Sequence, residues 1–222
     1  MPLTIDVVSD VVCPWCFIGK RKLERALELY KERNPDADAP VVRWHPFQLN
    51  PDLPKEGTPR QEYIARKFGP RGGSTYERVK AVGQTVGIEF AFDRIERQPN
   101  TLAAHSLIAL AGTYGIQDEV KEAMLRAYFL DARDLTSDDT LRDIAVGAGM
   151  PAEEAAAALR DDGIRASVSE ADRQARQMGV EGVPFFIFNR RVAVSGAHDP
   201  EVLLQAIAQA EQEAANPAAN AS

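Results

Sequence analysis

Only two of the 222 residues are cysteine, and they stand three positions apart, as Cys13 and Cys16. A secreted scaffold held by disulfides would carry more cysteines, spread along the chain. Histidine is almost as scarce. His45, His105 and His198 do not stand at ligand spacing to one another, and a four-ligand zinc site needs two ligands beyond a cysteine pair, so no metal site is expected. No run approaches the roughly 20 apolar residues that cross a bilayer, which excludes a membrane-spanning helix. The start, Met1-Pro2-Leu3-Thr4-Ile5-Asp6, has neither a basic stretch nor an apolar run of signal length, which points to the cytoplasm. Basic charge is also lacking: 26 Lys and Arg face 33 Asp and Glu, a net charge of −7. Nucleic acid is therefore not an expected partner. The one short basic triplet, Lys20-Arg21-Lys22, reads as a solvated helix face.

What remains is an ordinary globular composition, 45% hydrophobic and 27% charged, at a length that fits one large domain or one domain with an insertion. Leu3, Ile5 and Val7 alternate with polar residues as in a buried strand, with Val8 as the exception. From Phe17, apolar residues recur at helical spacing through Leu23, Ala26, Leu27 and Tyr30, and the helix should stop near Asn34-Pro35. Residues 41–47 read as a second strand, parallel to the first if the crossover is right-handed. Asn50, Pro51, Pro54, Gly57 and Pro59 mark a loop and a boundary. Helical stripes fill residues 60–178. They include Tyr76, Val79 and Val86; Ala103, Leu107, Leu110 and Tyr114; Val120, Met124 and Ala127; and Leu141, Ile144 and Ala148. A cap is expected in Thr136-Ser137-Asp138, and Pro151 suits a first helical position. Ile164, Val168, Ala171, Ala175 and Met178 mark a long last helix of this block. A hairpin follows, Phe185–Phe188 and Arg191–Ser195 around Asn189-Arg190, and then a helix behind Asp199-Pro200.

Chemistry is concentrated in Cys13-Pro14-Trp15-Cys16, which lies between the first strand and the first helix. Thiol–disulfide exchange needs one thiolate that attacks and a second thiol that resolves the mixed disulfide. A cysteine at a helix start meets unpaired N–H groups and the positive end of the helix dipole, both of which favour the thiolate. This placement predicts Cys13 as the nucleophile, with a lowered pKa, and Cys16 as the resolving thiol. Pro14 fits the first helical position because its missing N–H would be unpaired there anyway. Trp15 should be exposed between the cysteines as a contact surface for substrate. Asp10, three residues ahead, reads as a loop acid, and His105 as a structural histidine.

A second element, Gly182-Val183-Pro184-Phe185, places a proline just before an apolar strand. That is awkward for a central strand in trans and comfortable if the Val183–Pro184 bond is cis.

With these residues, the chain resembles the DsbA family, and more closely its cytoplasmic FrnE-like branch. The resemblance rests on Ser9-Asp10-Val11-Val12-Cys13-Pro14-Trp15-Cys16, Phe47-Gln48-Leu49-Asn50-Pro51, Pro99-Asn100-Thr101 with Ala104-His105, Gly182-Val183-Pro184 and Ser195-Gly196-Ala197. It implies an α/β, thioredoxin-like fold with a large all-helical insertion. The first part of the thioredoxin-like domain would span 1–55, the helical insertion 56–178, the second part 179–215, and a disordered tail 216–222. It also implies a protein-disulfide oxidoreductase whose redox-active disulfide is Cys13–Cys16, with no bound cofactor. In such folds the loop carrying Val183 and Pro184 lies beside the cysteine pair and offers its backbone to a bound peptide or glutathione. The partners would be protein or small-molecule thiols and disulfides, acting on a monomer or homodimer. The middle motifs are also similar to those of kappa-class glutathione transferases and 2-hydroxychromene-2-carboxylate isomerases. In that reading, a glutathione-dependent transferase or isomerase acting on a small organic compound, glutathione is a co-substrate and Asn50, Asn100, Thr101 and Asp199 are candidate contacts. Those relatives carry serine at the catalytic thiol position, whereas this chain has cysteine at both positions, which favours dithiol redox work.

Overall fold

The computed structural model describes residues 2–69 and 72–215. The expected tail, 216–222, lies outside the described residues. The chain opens with strand β1 (Thr4–Ser9), helix α1 (Pro14–Arg33) and strand β2 (Val41–Pro46). A two-residue strand β3 (Thr58–Pro59) leads into α2 (Arg60–Phe68) and α3 (Gly72–Gln84), followed by a 3-10 turn (Phe92–Arg94) and a second short strand β4 (Arg97–Gln98). Helices α4 (Leu102–Ala111), α5 (Gln117–Phe129), α6 (Asp138–Gly147), α7 (Ala152–Ala158) and α8 (Asp162–Gln177) follow, and the chain returns through β5 (Phe185–Phe188), β6 (Val192–Ser195) and α9 (Pro200–Ala215).

The main sheet has the order β2-β1-β5-β6. β1 and β2 run parallel with Thr4 opposite Val41. β5 is antiparallel to β1, with Val7 opposite Phe186, and β6 is antiparallel to β5. This is the mixed α/β, thioredoxin-like arrangement expected from the sequence. The break in alternation at Val8 has a simple cause: β1 is central and covered on both faces, so Val7 and Val8 are both buried. Val8 belongs to a small cluster with Phe47, Ala175 and Val180, against which Leu49, Val183 and Phe185 pack. That cluster ties the exit of β2, the end of α8 and the Val183 loop to one another.

The helical block differs from expectation in one respect. It contains the antiparallel pair β3–β4, with Thr58 opposite Gln98 and Pro59 opposite Arg97. Two residues per strand are too few for a period-2 pattern to show. Gly57 is needed there, because its φ is +66° and a Cβ would lie 2.4 Å from the Gln98 carbonyl oxygen. Ser137 caps α6 by accepting from the Thr140 N–H, as read from the sequence. Pro151 stands one position earlier than expected, at the N-cap of α7 rather than inside it.

The basic triplet on α1 requires a correction. Lys20 is only 3% exposed and pairs with Glu24, Asp118 and Glu122; Arg21 pairs with Glu122; Lys22 pairs with Asp199. Four of these carboxylate contacts come from α5 or the start of α9, so local charge pattern could not reveal them. Phe17 strengthens the same joint by packing against Phe90 and Phe129, with ring centroids 6.2 Å apart in both cases.

Helix α1 also presses on the loop before β5. A Cβ on Gly19 would sit 2.8 Å from Pro184 Cγ and 3.2 Å from Phe186 Cζ. Gly19→Val should therefore lower the unfolding free energy by about 2 kcal/mol through overpacking, measured by urea denaturation. An unchanged midpoint would show that this approach places no constraint on the residue.

Candidate active site

Cys13 is the N-cap of α1, in an extended conformation (φ −96°, ψ 112°), and Pro14 opens the helix. The Cys13 carbonyl accepts from the N–H groups of Cys16 (3.0 Å) and Phe17 (3.4 Å). This first turn brings the two side chains together one turn apart. Both are free thiols in the structure. Cys13 is 5% exposed and Cys16 1%. Trp15 is only partly buried and packs against the core.

The loop from the far end of the sequence completes the site. The Val183–Pro184 bond is cis, and the Cys13 thiol donates to the Val183 carbonyl at 3.5 Å. The Gly196 N–H donates to the Pro184 carbonyl (2.8 Å), which fastens the loop to the end of β6.

Beneath the thiols lies a polar cluster. Asp10 is fully buried. Its Oδ1 accepts from the Val11 N–H (2.8 Å) and meets His105 Nε2 at 3.1 Å; its Oδ2 accepts from the Leu49 N–H (2.8 Å). Burial alone would raise the Asp10 pKa, but His105, the Leu49 N–H and the Lys121 ammonium together hold it below the usual carboxylate range. Asp10 is thus more than a loop acid, and His105 is its partner. The first was legible as an acid ahead of the cysteines, but its burial was not.

The charge on the thiols is distributed differently from the expectation. The hydrogen bond with Cys16, then burial and the neighbouring negative charge, push the Cys13 thiol well above its ordinary range. Burial opposes ionisation of Cys16 as well, yet the neighbouring Cys13 thiol and the Lys121 ammonium bring it below that range. The two thiols titrate as a pair. The second ionisation is opposed by the first. The lowering expected at Cys13 from its place at the helix start is outweighed by its hydrogen bond with Cys16 and by burial.

The other candidate residues serve mainly to hold loops. Asn100 uses its whole amide: Oδ1 accepts from Gln48 Nε2 (3.2 Å) and the Leu102 N–H (3.0 Å), and Nδ2 donates to the carbonyls of Pro51 (3.2 Å) and Leu53 (2.7 Å). Thr101 is buried at the N-cap of α4 without a side-chain capping bond. Asn50 Nδ2 donates to the Tyr63 hydroxyl (3.4 Å). Asp199 pairs with Lys22 at 2.7 Å, which joins the start of α9 to α1 and lowers its carboxyl pKa. Sequence reading missed Asp172 and Lys121. Asp172 accepts from the Gln48 N–H (2.8 Å), next to Arg176, whose guanidinium lies 4.1 Å from the Phe47 ring centroid. Lys121 had a visible signal: it shares a buried stripe with Leu125 and Tyr128, at helical spacing, beside the stripe of Val120, Met124 and Ala127.

With this geometry in place, comparison with known proteins is decisive for the family. A model of the DSBA-like thioredoxin domain matches residues 4–208. The chain belongs to that family. It is 32% identical to a probable DsbA oxidoreductase of Streptomyces coelicolor, whose crystal structure superposes with a TM-score of 0.85 and coverage of 95% of this chain and 91% of the other. It is 24% identical over 217 residues to the uncharacterised protein YwbO of Bacillus subtilis, covering 96% of this chain and 99% of that one. The cytosolic disulfide reductase DsbM of Pseudomonas aeruginosa, solved with GSH, shares the fold at 17% identity and a TM-score of 0.61, covering 96% and 98%. No helix among the described residues is long and apolar enough to cross a membrane.

The paired titration has a direct consequence. The lowered Cys16 pKa stabilises the reduced protein above the unfolded thiol value, about 8.5, and this is lost as pH falls through the folded Cys16 pKa. The raised Cys13 pKa contributes stability that is present below the unfolded value and lost as pH rises through the folded Cys13 pKa. The reduced fold should therefore be most stable against unfolding near the ordinary thiol pKa. The midpoint potential should fall by about 59 mV per pH unit at low pH and by about 30 mV between the two titrations, where one proton accompanies two electrons. One slope throughout that window would refute the split.

Proposed function

We propose that this chain is a dithiol oxidoreductase in which Cys13 attacks a substrate disulfide and Cys16 resolves the intermediate. The observation that carries this reading is the meeting of two elements: a thiol pair at the start of α1 and, against the outer sulfur, the Val183 carbonyl at 3.5 Å. Cys13 is the sulfur nearer to solvent and to the loop that would hold a substrate.

The chemistry runs as two exchanges. As Cys13 Sγ bonds to one sulfur of R–S–S–R′, the substrate S–S bond breaks and R′–S⁻ leaves, taking up the proton that Cys13 releases. Cys16 then gives up its own proton and attacks Cys13 Sγ. The Cys13–Cys16 bond forms, the Cys13–substrate bond breaks, and R–S⁻ leaves with the Cys16 proton. Two electrons move from the dithiol to the substrate. When Cys13 is consumed in the mixed disulfide, the Val183 carbonyl loses its thiol donor and can accept from a substrate amide in strand fashion. Glutathione suits the role of co-substrate that returns the disulfide to the dithiol, a reading supported by the GSH-bound relative. The presence of two paired thiols favours exchange over glutathione transfer or isomerisation of a small organic compound, which needs only one such position.

Cys13→Ser should abolish insulin reduction. Cys16→Ser should leave a protein that accumulates as a mixed disulfide with substrate or glutathione, visible by mass. Full insulin reductase activity in Cys16→Ser would sink the two-thiol mechanism. Conjugation of glutathione to an electrophile by the wild-type chain, without insulin reduction, would favour the transferase reading instead.

A further inference from the structure

Strand β2 ends at Pro46, and the chain leaves the sheet there. The backbone just beyond is nevertheless paired on both sides of one residue. Asp172 Oδ1, on α8, accepts from the Gln48 N–H at 2.8 Å, and Arg176 Nη2, one turn further along α8, donates to the Gln48 carbonyl at 2.5 Å. The two side chains are also joined to each other, with Arg176 Nε donating to Asp172 Oδ2 at 3.1 Å. An acid and a guanidinium thus do for Gln48 what a neighbouring strand does for a residue inside a sheet. An i,i+4 ion pair on an exposed helix face adds little to stability by itself. This one differs, because the Asp172 carboxylate is buried and serves a buried backbone N–H 124 residues away.

Both neighbours of Gln48 lead to the cysteine pair. On one side, the Leu49 N–H donates to Asp10 Oδ2 at 2.8 Å, three residues ahead of Cys13. On the other, Phe47 lies under the Arg176 guanidinium, 4.1 Å from its ring centroid, and packs with Val8, Ala175 and Val180. Val183 packs against the same cluster. Helix α8 also runs directly into the loop that meets Cys13. Gly179 takes φ +88°, and the Val180 N–H returns to the Ala175 carbonyl at 3.1 Å, which closes the helix. Val183 follows three residues later. The carbonyl that faces Cys13 and the carboxylate ahead of Cys13 are therefore both referred to one anchored residue, Gln48.

We propose that Asp172 and Arg176 are positioning residues for substrate: through Gln48 they hold the end of α8 so that the Val183 carbonyl stands where the backbone amide of a bound disulfide reaches it. This rests on the dithiol reading above. The pair acts on the loop and not on the thiols. The substrate class that depends on it is a disulfide flanked by peptide amides. An extended peptide donates an N–H to Val183 in strand fashion, and a hydrogen bond weakens steeply once its acceptor is displaced or turned. A disulfide without amides makes no use of that carbonyl and reaches Cys13 unaided.

The test compares two substrates in steady state with dithiothreitol as reductant: a short peptide with one internal disulfide, and 2-hydroxyethyl disulfide, which has no amide. Arg176→Met removes the bond to the Gln48 carbonyl and keeps an apolar cover on Phe47. It should lower kcat/KM for the peptide about tenfold, through KM, and for hydroxyethyl disulfide by no more than about twofold. Asp172→Ala should act in the same direction. Asp172→Asn, whose Oδ1 still accepts from the Gln48 N–H, and Arg176→Lys, which still donates to the Gln48 carbonyl, should recover most of the loss. If Asp172→Ala does not fold, Arg176→Met, at an exposed position, decides. An equal loss on both disulfides, or a lower melting temperature with no loss on either, would overturn the proposal and make the pair structural. Wild type that reduces neither disulfide would overturn the oxidoreductase reading, and this inference with it. Wild type that reduces both, with the same preference in every variant, would overturn this inference alone.

Discussion

Asp10 has no exposed surface, yet its carboxyl remains ionised because every approach to it is a donor. Val11 N–H comes from the loop before α1, Leu49 N–H from the segment after β2, and His105 from α4. A buried carboxylate cannot lose one of these partners cheaply; breaking such a pair costs about 3–5 kcal/mol. The result is a joint at which the start of α1, the exit of β2 and the helical insertion share one set of positions. The cysteine pair sits on this joint. Its geometry therefore depends on a residue that forms no bond with substrate.

The helical block is part of the active site from below. His105 on α4 bonds Asp10, while α5 brings Asp118 and Glu122 to the cations of α1. Phe129, also on α5, stacks on Phe17, the residue that follows Cys16. A small thioredoxin-like sheet with one covering helix could place a CxxC at a helix start. It could not bury both sulfurs among charges supplied from two further helices. Burial strengthens each of these interactions, because the local dielectric is low, and it also makes an unpaired charge costly. The site uses both effects: it shields the thiols and requires that their charge be matched.

Some of this was legible in the residues. Period-2 and period-3.6 patterns located β1, α1, β2, α8 and the β5–β6 hairpin, because each has at least one face that must avoid water. Cys13-Pro14-Trp15-Cys16 between a strand and a helix marked the candidate site, and Gly182-Val183-Pro184 marked the loop that meets it. Less was legible where partners are remote. Lys20 looked like surface charge because Asp118 and Glu122 stand about a hundred residues away. Asn100 looked like a ligand contact, yet its amide is engaged in fastening the 50–53 loop. The β3–β4 pair is two residues long per strand and leaves no periodicity to read.

The chain by itself determined which chemistry is available: two thiols at a helix start, one turn apart. It also determined the order of strands and helices, since hydrophobic spacing is a local property. Tertiary structure alone decided how the thiols ionise. The ionisation of a thiol depends on burial and on nearby charges, and two of the groups that act on it here, Asp10 before α1 and Lys121 on α5, come from separate elements. Their proximity is created only when α5 folds against the sheet.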